Sequence, residues 1–151
     1  MHHPTSTHHP HRRQMLVHLA LILTAGTLLV ACSPDASSND PLRVTLEEGR
    51  QLLQSKQVMM VDIREADEHA TGVAKGAVLL PMSQLHQRAN EIPKDPAQPV
   101  LVICNTQNRS SKVVQAMKEA GWSNVRYVHG GMSGWARNGW PMVKPSELPR
   151  S

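Results

Sequence analysis

Short continuous apolar runs alternate with segments of helical periodicity along most of this chain. The runs that predict strands buried on both faces are VMMVDI (58–63), GAVLLP (76–81) and PVLVIC (99–104), with NVRYVHGG (124–131) as a last strand. The helical segments are TLEEGRQLLQS (45–55), SQLHQRANEI (83–92), SSKVVQAMKEAG (110–121) and MSGWARNGWP (132–141). This alternation predicts a single α/β domain with a mostly parallel central sheet flanked by helices.

The N-terminal segment has a different pattern. Arg12 and Arg13 precede an interrupted apolar stretch, residues 15–30, which is typical of a secretory signal and too short to predict a membrane span. The stretch ends in LVAC (29–32), which resembles the lipobox of bacterial lipoproteins, where cleavage leaves a lipid-bearing cysteine at the new N-terminus. We therefore predict a signal peptide over 1–31, a lipidated Cys32 with a flexible linker over 32–41, and a folded domain over 42–148.

This N-terminus implies export and attachment to a bacterial membrane through lipid on Cys32, with the domain facing the periplasm. Ser33 follows the cysteine, and by analogy with lipoproteins it favours the outer membrane in an organism that has one. An ordinary signal peptide, or an uncleaved anchor with an incidental cysteine, is the alternative interpretation. The export route is left open.

The charge balance argues against a nucleic-acid partner. Removal of Arg12 and Arg13 with the signal lowers the count of 16 basic residues to 14, against 12 acidic residues. The histidine-rich start would be discarded with the signal, and His69, His86 and His129 lack metal-ligand spacing. We therefore expect no metal and no cofactor.

The segment CNTQNRS (104–110) carries the candidate chemistry. Cys104 ends a predicted central strand, and ligands of open α/β sheets bind beyond the carboxyl ends of the strands. The N–H groups at the start of the following helix, together with Arg109, would favour an anion here, including the thiolate of Cys104. A reactive nucleophile in an anion-binding loop is one interpretation. The other is an inert buried thiol beside a solvated arginine.

Motifs spread over residues 43–143 resemble the rhodanese-like sulfurtransferases. They are VDIRE (61–65), EHATGVAKGAVLLP (68–81), VLVICNTQNRSSKV (100–113) and VHGGMSGWARNGWPM (128–142). The resemblance implies that Cys104 attacks the outer sulfur of a small anionic donor such as thiosulfate and forms a persulfide. Cyanide or a thiol, a protein thiol among the candidates, would then accept the sulfur.

The same resemblance assigns roles within the loop. Backbone N–H groups of the loop would hold the terminal sulfur. The substrate-binding residues are then Asn105, Thr106, Gln107, Asn108 and Ser110. Arg109 would shape the loop and attract the donor, and Ser110 or Ser111 would cap the helix. Asp62 and Arg64 are expected to support the site by ordering the loop after their strand.

One departure from the family pattern affects the shape of the loop. Gln107 replaces a glycine that many active members have, which predicts a strained or altered backbone at this position.

Two rival functions come from different classes. Phosphatases and arsenate reductases of related type carry C-x5-R, a wider cradle than the C-x4-R from Cys104 to Arg109. The other rival is a rhodanese-like module that binds a partner without turnover. Gln107 favours this module, whereas the retained Cys104 argues against it.

Overall fold

The computed structural model describes residues 39–149. The predictions for the signal peptide, for Cys32 and for most of the linker lie outside the described residues. Between residues 39 and 149, no helix combines the length and the apolar character that crossing a membrane requires.

The centre of the domain is a five-stranded sheet in which every neighbouring pair of strands is parallel. In spatial order its strands are β1 (Arg43–Val44), β6 (Val125–Val128), β5 (Val100–Ile103), β2 (Met59–Asp62) and β4 (Val78–Leu79). A separate antiparallel pair joins β3 (Val73–Ala74) to β7 (Met142–Val143). The predicted α/β fold with a mostly parallel sheet is therefore confirmed.

Five α-helices flank the sheet in the described part of the chain: α1 (Leu46–Gln54), α2 (Ala66–His69), α3 (Leu85–Arg88), α4 (Asn108–Glu119) and α5 (Gly131–Arg137). Thr45 caps α1, because its Oγ1 accepts the Glu48 N–H at 3.2 Å. The single helix predicted over 83–92 is wrong. That region divides into α3 and the flanking 3₁₀ turns Met82–Gln84 and Ala89–Glu91.

Both faces of β5 are buried, which explains its continuous apolar sequence. Val100 and Val102 join a core cluster with residues of α4, whereas Leu101 and Ile103 join a second cluster with Met132 and other residues. Complete burial of each of these side chains contributes about 1.5–3 kcal/mol. The strand that leads to Cys104 is therefore held firmly from both sides.

Asp40, which the sequence assigns to the linker, makes hydrogen bonds with the folded domain. Asp40 accepts the Leu42 N–H at 2.9 Å through one carboxylate oxygen and the Tyr127 hydroxyl at 2.8 Å through the other. The second of these bonds ties Asp40 to β6, close to the predicted start of the domain at residue 42.

Candidate functional site

Cys104 directly follows β5 at the carboxyl edge of the sheet, and only 1% of the residue is exposed. The backbone N–H of Ser110 points at its Sγ atom, with 3.4 Å between nitrogen and sulfur. The Ser110 hydroxyl also lies 3.4 Å from Sγ and is 3.2 Å from the Gln107 carbonyl oxygen. The thiol therefore sits inside the curve of the loop, against the first turn of α4.

The loop also contains several unused backbone donors. The backbone N–H groups of residues 105–109 donate to no other group within the described part of the chain. The helix α4 starts at Asn108 after Gln107, whose side chain makes no capping hydrogen bond. Aligned, unpaired N–H groups at a helix start attract negative charge. The anion-binding role that the sequence suggests for this strand-to-helix loop stays a prediction.

The predicted capping role of Ser110 or Ser111 is wrong, because α4 begins earlier than the sequence indicates. Both serines lie inside the helix, where each hydroxyl is close to the carbonyl oxygen three residues back. The first N–H groups of the helix therefore stay available.

Gln107 has a φ of −162° and a ψ of −8°, so its backbone lies outside the left-handed region that favours glycine. The expectation for this position was a strained or altered backbone, and the structure shows a conformation that does not require glycine. Its side-chain oxygen accepts the Gly130 N–H at 3.4 Å, which joins the loop to the turn before α5. Glutamine here ties the loop to its neighbour through a side chain that glycine lacks.

The start of α5 braces the loop from the other side. The N–H of Met132 donates to the Cys104 carbonyl oxygen, and that of Ser133 donates to the Asn105 carbonyl oxygen, each at 2.8 Å. The Ser133 hydroxyl also donates to the Asn105 side chain at 2.7 Å. Gly131 allows this approach, since an added Cβ would lie 2.5 Å from the Cys104 carbonyl oxygen and closer still to that of Thr106.

The Gly131 and Ser133 contacts were not predicted. The glycine pair Gly130–Gly131 could have indicated the Gly131 contact, since glycines often mark a close approach of two backbones.

The guanidinium of Arg109 is held by Glu68 of α2 in a bidentate ion pair, with nitrogen–oxygen distances of 2.6 and 2.7 Å. Hydrogen bonds from Arg109 lower the pKa of Glu68 below its usual value. In turn the pKa of Arg109 is raised, chiefly by its hydrogen bonds to Glu68, although burial opposes the rise. The pair fastens α4 to α2 and so fixes one side of the loop.

Sequence reasoning did not assign Glu68 to the site, although it opens one of the quoted motifs. Glu68 and Arg109 are 41 positions apart, and only the fold brings them together.

Asp62 and Arg64 form a buried ion pair at the end of β2, with 2.7 Å between Arg64 Nη2 and Asp62 Oδ2. Arg64 also donates to the Gly72 carbonyl oxygen at 2.8 Å, and the Asp62 carboxylate accepts the Arg64 backbone N–H at 3.1 Å. Burial acts to raise the pKa of Asp62, but hydrogen bonds from His69 and Arg64 outweigh it and leave the pKa lowered. This cluster orders the turn beside the site.

The remaining loop side chains are polar and uncharged. Asn105, Thr106 and Asn108 are exposed, and Gln107 is half-buried. Within residues 39–149, no group of three or more His, Cys, Asp or Glu side chains is arranged to hold a metal ion. The arrangement thus offers one buried free thiol, several unused N–H donors and a paired arginine.

Comparisons with known proteins agree with this geometry. The chain is 35% identical over 96 residues to a sulfurtransferase of Allochromatium vinosum, an alignment that covers 64% of this chain and 88% of that protein. It is 30% identical over 107 residues to the thiosulfate sulfurtransferase GlpE of Actinobacillus succinogenes, covering 68% and 95% of the two chains. These relatives support sulfur transfer as the general function.

Solved structures show the same fold. A rhodanese-related protein from Thermoplasma volcanium superposes with a TM-score of 0.60 at 26% identity, covering 67% of this chain and 96% of that one. The family description "Rhodanese-like domain" matches residues 45–138, which include both β2 and the loop that carries Cys104. The chain therefore belongs to the family of rhodanese-like domain proteins.

Proposed function

We propose that this protein is a sulfurtransferase that carries sulfane sulfur as a persulfide on Cys104. The Cys104 thiolate attacks the outer sulfur of a donor, for which thiosulfate is the simplest example. A sulfur–sulfur bond forms to the enzyme, the sulfur–sulfur bond of thiosulfate breaks, and sulfite leaves with the bonding electron pair. No external oxidant or reductant is needed, because the sulfane sulfur keeps its oxidation level.

The observation that carries this proposal is the Ser110 N–H that points at Sγ, in a loop whose other N–H groups are unused. The Ser110 N–H already points at Sγ, and the N–H groups of residues 105–109 are available for the terminal sulfur of a persulfide. That sulfur carries the negative charge of the intermediate, so fixed donors stabilise it without reorganisation. Asn105, Thr106, Gln107 and Asn108 would contribute mainly through these backbone groups.

The second half of the reaction regenerates the thiol. Cyanide or a thiolate attacks the terminal sulfur, and Cys104 departs with the electron pair as its thiolate. Ser110 again supplies an N–H to Sγ as negative charge returns to this atom. The acceptor in the cell is then a small thiol or a thiol of another protein.

The test is a mass spectrum of the full chain carrying Cys32→Ala, in which Cys104 is the only thiol because the chain has two cysteines. Incubation with thiosulfate should add one sulfur, about 32 Da, to the peptide that contains Cys104. Subsequent cyanide should remove this mass and release thiocyanate. A spectrum that stays unchanged under both treatments contradicts the proposal.

The deep burial of Cys104 favours a second candidate function, a rhodanese-like module that binds a partner without turnover. The same spectrum separates the two, since a pure binding module gains no sulfur. The phosphatase alternative has less support. Its arginine must face a tetrahedral oxyanion, whereas Arg109 is held by both carboxylate oxygens of Glu68.

We further propose that the chain is an exported lipoprotein, anchored through Cys32 with the domain facing the periplasm. The supporting pattern is LVAC (29–32) after the apolar stretch. Labelled palmitate should enter the wild-type chain in bacterial cells and should be absent from Cys32→Ala, while Cys104→Ala serves as a matched control that keeps its label. Equal labelling of Cys32→Ala and wild type would contradict the anchor.

A further inference from the structure

The charge of the sulfur-binding loop is largely cancelled by its surroundings. Arg109 is the only charged side chain between residues 105 and 110, and it is engaged by Glu68 through both carboxylate oxygens. A second carboxylate, Glu65, lies at the start of α2 and accepts the backbone N–H and the hydroxyl of Ser83 at 3.0 and 2.8 Å. The loop therefore offers directed N–H groups but little net positive charge.

Both carboxylates act on the arginine that adjoins the thiol. The pKa of Arg109 is raised chiefly by its hydrogen bonds to Glu68, although burial opposes the rise, and the negative charges of Glu68 and Glu65 add to it. Arg109 lies in the first turn of α4, directly before the Ser110 N–H that points at Sγ, and its charge is already offset by Glu68. A donor that carries several negative charges gains little attraction from this pair.

The burial of the thiol also restricts the shape of the sulfur donor. Cys104 is 1% exposed, so the donor must bring its outer sulfur to the floor of the loop. In thiosulfate the outer sulfur is attached directly to a tetrahedral sulfonate group that carries charged oxygens. In an organic persulfide the outer sulfur is bonded to a second sulfur that carries a carbon chain. This reacting end is narrower than a sulfonate group and bears at most one charge.

We propose that Glu68 is a specificity-determining residue that neutralises Arg109 and thereby selects organic persulfides over thiosulfate as sulfur donors. This inference rests on the proposed sulfurtransferase function and names its donor class. The step balances: the Cys104 thiolate attacks the outer sulfur of R–S–SH, the enzyme persulfide forms, and R–S⁻ leaves with the electron pair. Glu68 touches no reacting atom and acts through Arg109.

The experiment compares two donors on the full chain carrying Cys32→Ala, in detergent. The donors are thiosulfate and freshly prepared 2-hydroxyethyl persulfide, and the readout is the rate at which Cys104 gains sulfur. The wild-type loop should load faster from the persulfide. Glu68→Gln should raise the thiosulfate rate about tenfold, and more at low salt, because Arg109 regains its net charge. The persulfide rate should change much less.

Asp67→Asn is the matched control. It removes the same charge one residue away, from an exposed side chain outside the ion pair, and should leave the ratio of the two rates unchanged. Glutamine suits position 68 because it preserves the acceptor for the Glu65 N–H at the start of α2. A thermal midpoint close to that of wild type shows that the fold is intact.

The outcomes separate the inference from the function on which it rests. If neither donor loads Cys104, the sulfurtransferase proposal itself fails. If both load but wild type prefers thiosulfate, or Glu68→Gln leaves the donor ratio unchanged, the role of Glu68 is wrong. If Glu68→Gln does not fold, the comparison of the two donors on the wild-type chain still tests the inference. In the wild-type chain, a rate of thiosulfate loading that rises strongly at low salt would reveal an uncompensated positive charge and overturn the inference.

Discussion

Replacing Cys104 with serine should reduce sulfur transfer by about 10³-fold or more, because a hydroxyl is a far weaker nucleophile at neutral pH than a thiolate. The chain carrying both Cys32→Ala and Cys104→Ser should gain no sulfur from any donor. Thiocyanate formation from donor and cyanide should fall to the uncatalysed level, as a colorimetric assay would show.

Stability provides the control for this variant. Serine is close to cysteine in size, and its hydroxyl can still accept the Ser110 N–H that now points at Sγ. Because Cys104 is almost fully buried, the exchange should cost about 1–2 kcal/mol of unfolding free energy, too little to unfold a typical domain. Persistent thiocyanate formation in a folded Cys104→Ser chain would exclude Cys104 as the sulfur carrier.

Replacing Gly131 with alanine should both destabilise the domain and distort the loop. The added Cβ would lie 2.5 Å from the Cys104 carbonyl oxygen, and the φ of +56° is unfavourable for alanine. Together, crowding and the left-handed backbone should cost about 2–4 kcal/mol, measured by urea denaturation. Sulfur transfer should fall by at least about tenfold, since the N–H groups of the loop lose their alignment.

Gly139→Ala is the matched control for this prediction. Gly139 also has a positive φ, of +64°, but nothing lies within 4 Å of an added Cβ. Its cost should be limited to the backbone preference, about 1–2 kcal/mol, with activity preserved. Equal losses in the two variants would show that the approach of α5 to the loop contributes neither stability nor activity.

Several features of the fold followed directly from the order of residues. The apolar run before Cys104 became β5, buried on both faces, and the periodic segment after the loop became α4. These predictions succeed because the local alternation of apolar and polar residues decides which faces can be buried. The helix over 83–92 failed because its periodicity is short and its polar residues are compatible with 3₁₀ turns as well.

The site was predictable only in part, and the Gln107 position illustrates the reason. Comparison with the family pattern suggested a strained or altered backbone, but it did not predict the conformation itself, in which φ is −162° and the side chain accepts a hydrogen bond from Gly130. Backbone conformation in a short loop depends on what packs against it, and residue identity alone does not contain that information.

The sequence by itself determined where Cys104 lies, since a cysteine that ends a buried strand before a helix must lie at the carboxyl edge of the sheet. Only the tertiary structure decided what surrounds it. Glu68 reaches Arg109 from 41 residues away, and Gly131 lies against the carbonyl groups of the loop. Such contacts depend on how α2 and α5 pack around the sheet, and periodicity along the chain encodes burial but not the identity of distant partners.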